Sequence, residues 1–467
     1  MYTFTHKEKK MSHVIDSPML KRNWSVPELE KVFSDEARLQ YWLDVEAALA
    51  KVQGELGVIP KDAAEEIVAN CKFDKLDKQL FDETFTQTGH MIMPLLKCVE
   101  TACSGTNGQF VHFGATTQDI IDTGMVLQMR AATNYIMGQA IRLEKAILVQ
   151  AEKYKNLPMA GRTHGQQGLP ITLGFKFATW ATELRRDIER MKEFPQRVFI
   201  LMLHGAVGTM AGFGEKAFET VEGVANELKL KNPPICWASS RDTVAEYLAT
   251  LGILAGTLGR IANEILASST SEVGELREPM GRNTVGSSTM PHKRNANVAE
   301  MSVSQCRIVA SNAMLGMIAQ VCQHERDARI WRMDFHNVPE SSVIVGRMLF
   351  ALANVVEGIE VDEKNINRNL NLLGGLLLSE AVMFALGEKM GKQKAHHLLR
   401  ELTLAQKDDL TFIQRLHANP EVKAVMTDEE IDAIFDYSKY LGMAPQIVDQ
   451  VAAYCHEMAK TDPKSLQ

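Results

Sequence analysis

The chain has 467 residues, 45% hydrophobic and 23% charged, a globular mixture large enough to build a core without disulfides. Lys and Arg number 51 against 58 Asp and Glu, a net charge of −7, which argues against a chain-wide nucleic-acid footprint. The seven cysteines are odd in number, widely spaced and without a CxxC pair, which reads as reduced thiols of a cytoplasmic protein.

The N-terminal stretch MYTFTHKEKKMSHVIDSP is polar and has no apolar run of signal-peptide type; Met11 is a candidate alternative start. A boundary is expected near Gly105–Gly114, followed by a helix over Asp119–Tyr154. From Leu173 the apolar residues Phe177, Trp180, Ala181, Leu184, Ile188 and Met191 step by three and four, with charges on the other side, and Pro170 is expected in the first turn of that helix. A helix over Thr243–Ser268 carries Arg260 as the only charge between Tyr247 and Asn263, and Gly252, Gly256 and Gly259 leave room for close backbone approach. Asn297–Gln323 repeats the pattern. Both apolar helices contain Glu, Arg, Asn or Gln and lack basic flanks, so they are predicted as buried rather than membrane-spanning. Between them Ser269–Asn297 is rich in Gly, Ser, Pro and charge, a functional or disordered loop. The composition shift at Val361–Asn369 marks a second boundary, with a small helical cap beyond it (helices near Leu376–Met390 and Lys392–Lys407). Strand-like alternation is weak throughout. The prediction is an all-α chain with an N-terminal domain over 1–112, a central helix bundle over 113–364 and a cap over 365–467. So many charge-poor helices predict a homo-oligomer sharing a helical core.

Three polar clusters interrupt this pattern, each expected just before a long helix: HFGATTQD from His112 to Asp119, GRTHGQ from Gly161 to Gln166, and GSSTMPHKRN from Gly286 to Asn295. Hydroxyls, amides and a lysine at helix N-termini make sites for carboxylate or phosphate. Taken singly each has a plainer reading: Thr116 and Thr117 as helix caps, His164 as a structural histidine, the Gly-Ser-Ser turn as a flexible loop. No Walker loop, HExxH or GxSxG is present, and the spacing of His90, His112 and His164 matches no standard metal site.

In this order and at this separation the clusters resemble the fumarase/aspartase superfamily, whose signature loop GSSxMPxKxN is matched by Gly286–Asn295. Ser34–Pro60, GAVGT (Gly205–Thr209) and HERD (His324–Asp327) look like the branch holding adenylosuccinate lyase and 3-carboxymuconate cycloisomerase. The resemblance implies a three-domain helical protomer, a homotetramer with its active sites shared among subunits, and a reversible anti β-elimination releasing fumarate. Ser287 would be the base and His164 the proton donor to the leaving group. Gly286, Lys293 and Asn295 would stabilise the aci-carboxylate intermediate, and Thr116, Thr117, Gln118, Thr163, His90, His112 and Arg326 would bind substrate. The implied partner is a small dicarboxylate or succinyl compound, with no metal or organic cofactor, nucleic acid or membrane.

Two departures bear on the substrate. Where adenylosuccinate lyases usually start with an Arg-Tyr pair that grips the nucleotide phosphate, this chain reads Asp16-Ser-Pro-Met-Leu-Lys-Arg22-Asn-Trp24. Ile330–Asp334 looks more like the cycloisomerases, which commonly carry Trp where His164 stands. The reading is therefore a lyase acting on an N-substituted aspartate or related succinyl compound. The alternatives are a cycloisomerase of 3-carboxymuconate type and a non-catalytic protein on the same scaffold.

Overall fold

The structure is a computed structural model that describes residues 13–281, 286–404 and 410–466. Met11, the core of the loop at 282–285 and the end of the predicted helix at 405–407 lie outside the described residues. The principal elements are α1 (Asp35–Leu56), α2 (Lys61–Asn70), α3 (Lys78–Thr88), α4 (Thr117–Lys153), strands β1 (Pro158–Thr163) and β2 (Gln166–Thr172), α5 (Leu173–Glu193) and α6 (Asp242–Ser268). They continue with β3 (Leu276–Arg277), α7 (Asn297–Ile318), α8 (Asp334–Glu357), β4 (Glu360–Val361), α9 (Glu363–Leu370), α10 (Ser379–Met390), α11 (Lys392–Leu404) and α12 (Ala444–Ala459). Among the described residues the fold is all-α apart from two small antiparallel ladders, β1 with β2 and β3 with β4, and a parallel bridge between Ile200 and Lys231.

Helices α4 to α8 form the bundle, and their apolar stripes meet in one continuous core that also takes in α1. Close approach of α6 and α7 depends on small residues. A Cβ on Gly259 would meet Cys306 Sγ at 2.5 Å, and one on Gly316 would meet Leu248 Cδ1 at 2.6 Å. Gly256 meets nothing within 4 Å and faces outward, so only part of the predicted glycine row serves this packing. Two helical stretches, Asp242–Ser268 and Ala328–Glu357, are long and apolar enough to cross a membrane, but 67% and 72% of their apolar windows are buried inside the protein.

A separate small core holds Val382, Leu386, Leu398, Phe412 and Ile431 beyond α9. The last helix leaves it: Val448, Ala452 and Cys455 of α12 pack into the main core. Fully buried Arg185 fastens that return, with Nε 2.7 Å from Glu144 and Nη1 2.8 Å from Asp462.

Three local expectations change. Pro170 lies in β2, opposite Ala160, and α5 starts at Leu173 with Thr172 Oγ1 accepting from Phe175 N at 3.0 Å as its cap. The helix from Asn297 ends at Ile318 rather than Gln323. The second polar cluster does not precede a helix directly: it forms the tip of the β1–β2 hairpin.

Candidate active site

The first cluster is built around a buried carboxylate. Thr116 caps α4, and its N–H donates to Asp119 Oδ2 at 2.9 Å. Asp119 also accepts from His204 N and Gly205 N, both at 3.0 Å, so it joins the α4 end to the GAVGT turn. Burial pushes its carboxyl up to about 6, against the pull of those N–H groups and of His112. Gly114 has φ +79°, and a Cβ there would meet Gly212 O at 2.7 Å, so this close crossing requires glycine.

Because Asp119 has a higher folded than unfolded pKa, its contribution to stability is fullest in acid and is lost as pH rises through about 6. Denaturant unfolding of wild type and Asp119→Asn from pH 4.5 to 7.5 should show the wild type's margin narrowing as pH rises. A margin that widened would mean that hydrogen bonding to the carboxylate, rather than burial, dominates.

Around this anchor the predicted residues separate. Arg326 Nη1 donates to Thr116 Oγ1 at 2.6 Å, which brings the HERD turn onto the α4 end. Thr117 is partly exposed beside it. Gln118 points inward instead: its amide donates to Asp122 at 2.9 Å and to Ala238 O at 3.0 Å, and only 1% of it is exposed. His112, at φ +62°, holds Glu46 Oε1 at 2.6 Å through Nδ1. Burial alone would lower the His112 pKa; the buried Glu46 carboxylate outweighs it and raises it above the ordinary value. His90 is exposed after α3, with Nδ1 accepting from Ile92 N and Met93 N at 3.3 Å.

The second cluster is presented by a two-residue turn. Thr163 pairs with Gln166, and His164 and Gly165 between them have φ of +53° and +75°. Positive φ at both central residues is the I′ geometry that matches strand twist. Thr163 and His164 thus stand exposed at the hairpin tip. The hairpin body is tied down by Arg162, whose guanidinium grips Glu275 at 2.6 and 2.9 Å. Glu275 is fully buried and also takes Asn369 Nδ2 at 2.8 Å, so one carboxylate links the hairpin, the start of the long loop and α9.

The third cluster is a loop pinned at its neck. Asn295 Nδ2 donates to Gly286 O at 3.0 Å, and a Cβ on Gly286 would lie 2.3 Å from Lys293 O. Arg294 spans to Glu360 at 2.7 and 2.8 Å and to Glu278 O at 2.8 Å. Glu278 in turn caps α7, accepting from Ala299 N at 2.7 Å. At the crest, Ser287 Oγ accepts from Met290 N at 3.0 Å and Thr289 N at 3.3 Å. Lys293 is exposed.

One protomer therefore joins Thr116 with Arg326, and Gly286 with Asn295. Among the described residues, no side-chain hydrogen bond connects His90, His164 or Lys293 to another candidate. No group of three or more His, Cys, Asp or Glu side chains among the described residues is placed to hold a metal ion. Sequence reasoning missed Glu46 and Glu275. The signal for Glu46 was a charge inside the apolar stripe of α1, between Val45 and Ala48. Glu275 carried no local signal. A further sign lies in the backbone: His112, His164 and His324 are three of the five non-glycine residues with positive φ among the described residues, and all three sit in the matched motifs. Strain of this kind gathers at functional sites.

A family model described as Lyase matches residues 21–311, and one described as Adenylosuccinate lyase C-terminus matches residues 375–451. An N-acetyl-S-(2-succino)cysteine lyase of Enterococcus italicus is 41% identical over 443 residues, 95% of this chain and 97% of its own length. An adenylosuccinate lyase of Methanocaldococcus jannaschii is 36% identical over 95% of this chain and 96% of its own. The crystal structure of 3-carboxy-cis,cis-muconate lactonizing enzyme from Pseudomonas putida superposes with a TM-score of 0.89 at 32% identity, covering 95% of this chain and all of that one.

Proposed function

The chain belongs to the fumarase/aspartase (fumarate lyase) superfamily, and from that premise we propose that it eliminates fumarate from a small succinylated compound. The first candidate is a succinylated thiol such as N-acetyl-S-(2-succino)cysteine, on which the 41% identical relative is named as acting; a succinylated amine comes second. The observation that supports this reading most directly is the contact of Arg326 with Thr116 at the α4 end. A guanidinium and the N-terminus of a 37-residue helix come together there, and both favour an anion.

In this reading Ser287 removes the proton next to a carboxylate of the succinyl group. The resulting aci-carboxylate carries two negative charges, which Lys293, Asn295 and backbone N–H groups offset. Collapse to fumarate expels the sulfur or nitrogen, and His164 supplies its proton. The three clusters meet when four copies associate. Exposed Ile253, Met314, Met317 and Ile318 on α6 and α7 are the surface we assign to that association, since apolar exposure of this kind marks interaction sites. Light scattering of the purified protein tests the tetramer.

The activity test follows fumarate absorbance with succinylated thiols and amines. His164→Gln should slow elimination by about a hundred- to ten-thousand-fold for an amine. The loss should be smaller for a thiol, because a thiol of pKa about 8.5 leaves as its anion without a proton. Equal losses would remove His164 from the proton-donating role. The structural likeness to the lactonizing enzyme supports a second reading, a cycloisomerase; NMR of the product, lactone or fumarate, separates the two.

A further inference from the structure

A cavity of about 450 Å³ opens where the signature loop ends, between the first turns of α7 and the middle of α8. Asn297, Glu300 and Met301 line one side, two or more residues beyond Asn295; Arg347 and Ala351 line the other, with Asn23 between them. The volume suits a small organic group. Arg347 is the one cation and Glu300 the one anion in the lining, yet they form no ion pair with each other. Among the described residues the Arg347 guanidinium has no ion pair and no hydrogen bond; its neighbours are the Phe350 ring, 5.7 Å from Cζ, and the Tyr135 phenol. Other arginines of this region are engaged: Arg142 holds Glu357 at 2.6 and 2.8 Å, and Arg294 holds Glu360. Arg347 is half-buried, and burial pulls its pKa down. A guanidinium left part-desolvated without an acceptor is a position built for one, and its planar fork fits a carboxylate.

We propose that Arg347 is a specificity residue that binds a carboxylate on the leaving group, so that the enzyme selects succinylated compounds whose thiol or amine half is itself a carboxylic acid. This rests on the elimination reading above and refines its substrate class. In that reading the donors for the fumarate half lie at the α4 end and in the signature loop, and the cavity beyond the loop is assigned to the other half.

The test uses the full-length protein and a matched pair of substrates, N-acetylcysteine succinylated at sulfur and N-acetylcysteamine succinylated at sulfur, which differ by one carboxylate. Arg347→Met should lower kcat/KM about ten- to a hundred-fold for the acid, chiefly through KM, and change the amine-derived compound by less than about threefold. Arg347→Lys should recover part of the loss. Equal effects on both substrates, whether or not the variant stays assembled by light scattering, overturn the proposal, as does no effect on either. If wild type releases fumarate from neither compound, the succinylated-thiol form of the elimination reading fails by itself. Calorimetry with N-acetylcysteine and N-acetylcysteamine then decides the site. Tighter binding of the acid that disappears in Arg347→Met upholds it, and no preference in wild type overturns it.

Discussion

Replacing Ser287 by alanine is expected to reduce fumarate release by about a hundred- to ten-thousand-fold, the range over which a positioned base contributes. The geometry supports this hydroxyl rather than its neighbour as the proposed base. Ser287 Oγ accepts N–H groups from Thr289 and Met290. The same two donors would stabilise the oxygen once its proton has gone, since hydrogen bonds to a charged form favour it. Ser288 is exposed and has no such donors among the described residues, and serves as the control. Ser288→Ala should keep most activity, and neither change should move the melting temperature by more than a few degrees, because neither side chain is buried. Steady-state fumarate absorbance with circular-dichroism melts makes the comparison. Full activity in Ser287→Ala would remove the serine from the mechanism.

The largest effect on stability is expected at Arg241. Its guanidinium lies fully buried between Asp122, at 2.6 and 3.2 Å, and Asp334, at 2.5 Å. These three residues join α4, the start of α6 and the start of α8. They therefore hold the helix end that carries Thr116 against the segment that follows Arg326. Arg241→Met leaves two carboxylates facing each other in the core, and breaking such a buried set costs about 3–5 kcal/mol. Burial already pushes Asp334 up to about 6 in spite of the arginine. Without Arg241 the Asp334 carboxyl should titrate higher still, so the penalty is smaller in acid and grows as pH rises. Urea denaturation should show a smaller deficit at pH 5 than at pH 8, and adding Asp334→Asn should restore part of the loss. A deficit below about 1 kcal/mol, or one that does not vary with pH, would mean that water or rearrangement replaces the arginine.

The long helices and the interrupting loop were legible because their periodicity and composition are local properties. α4 begins within two residues of the expected start, and α6 within one. The hairpin around His164 was not legible. Its strands contain Gly161, Gly168 and Pro170, which carry no strand propensity, and pairing across a His-Gly turn supplies what propensity lacks. Gln118 shows the same limit within a correctly identified motif. The motif places it at the α4 start, but only the neighbouring Asp122 and Ala238 turn its amide into the core.

From the order of residues alone came the helical class, the three polar clusters and the family resemblance, which in turn implies the roles proposed for Ser287, His164 and Lys293. Each is a matter of composition, period or contiguous motif. Only the folded chain decided that Glu46 would meet His112 from 66 positions away, that Asp119 would hold the backbone of His204, and that Glu275 would bind Arg162 across 113. A buried charge must find its counter-charge wherever packing brings one within about 3 Å, and separation along the chain does not encode that distance.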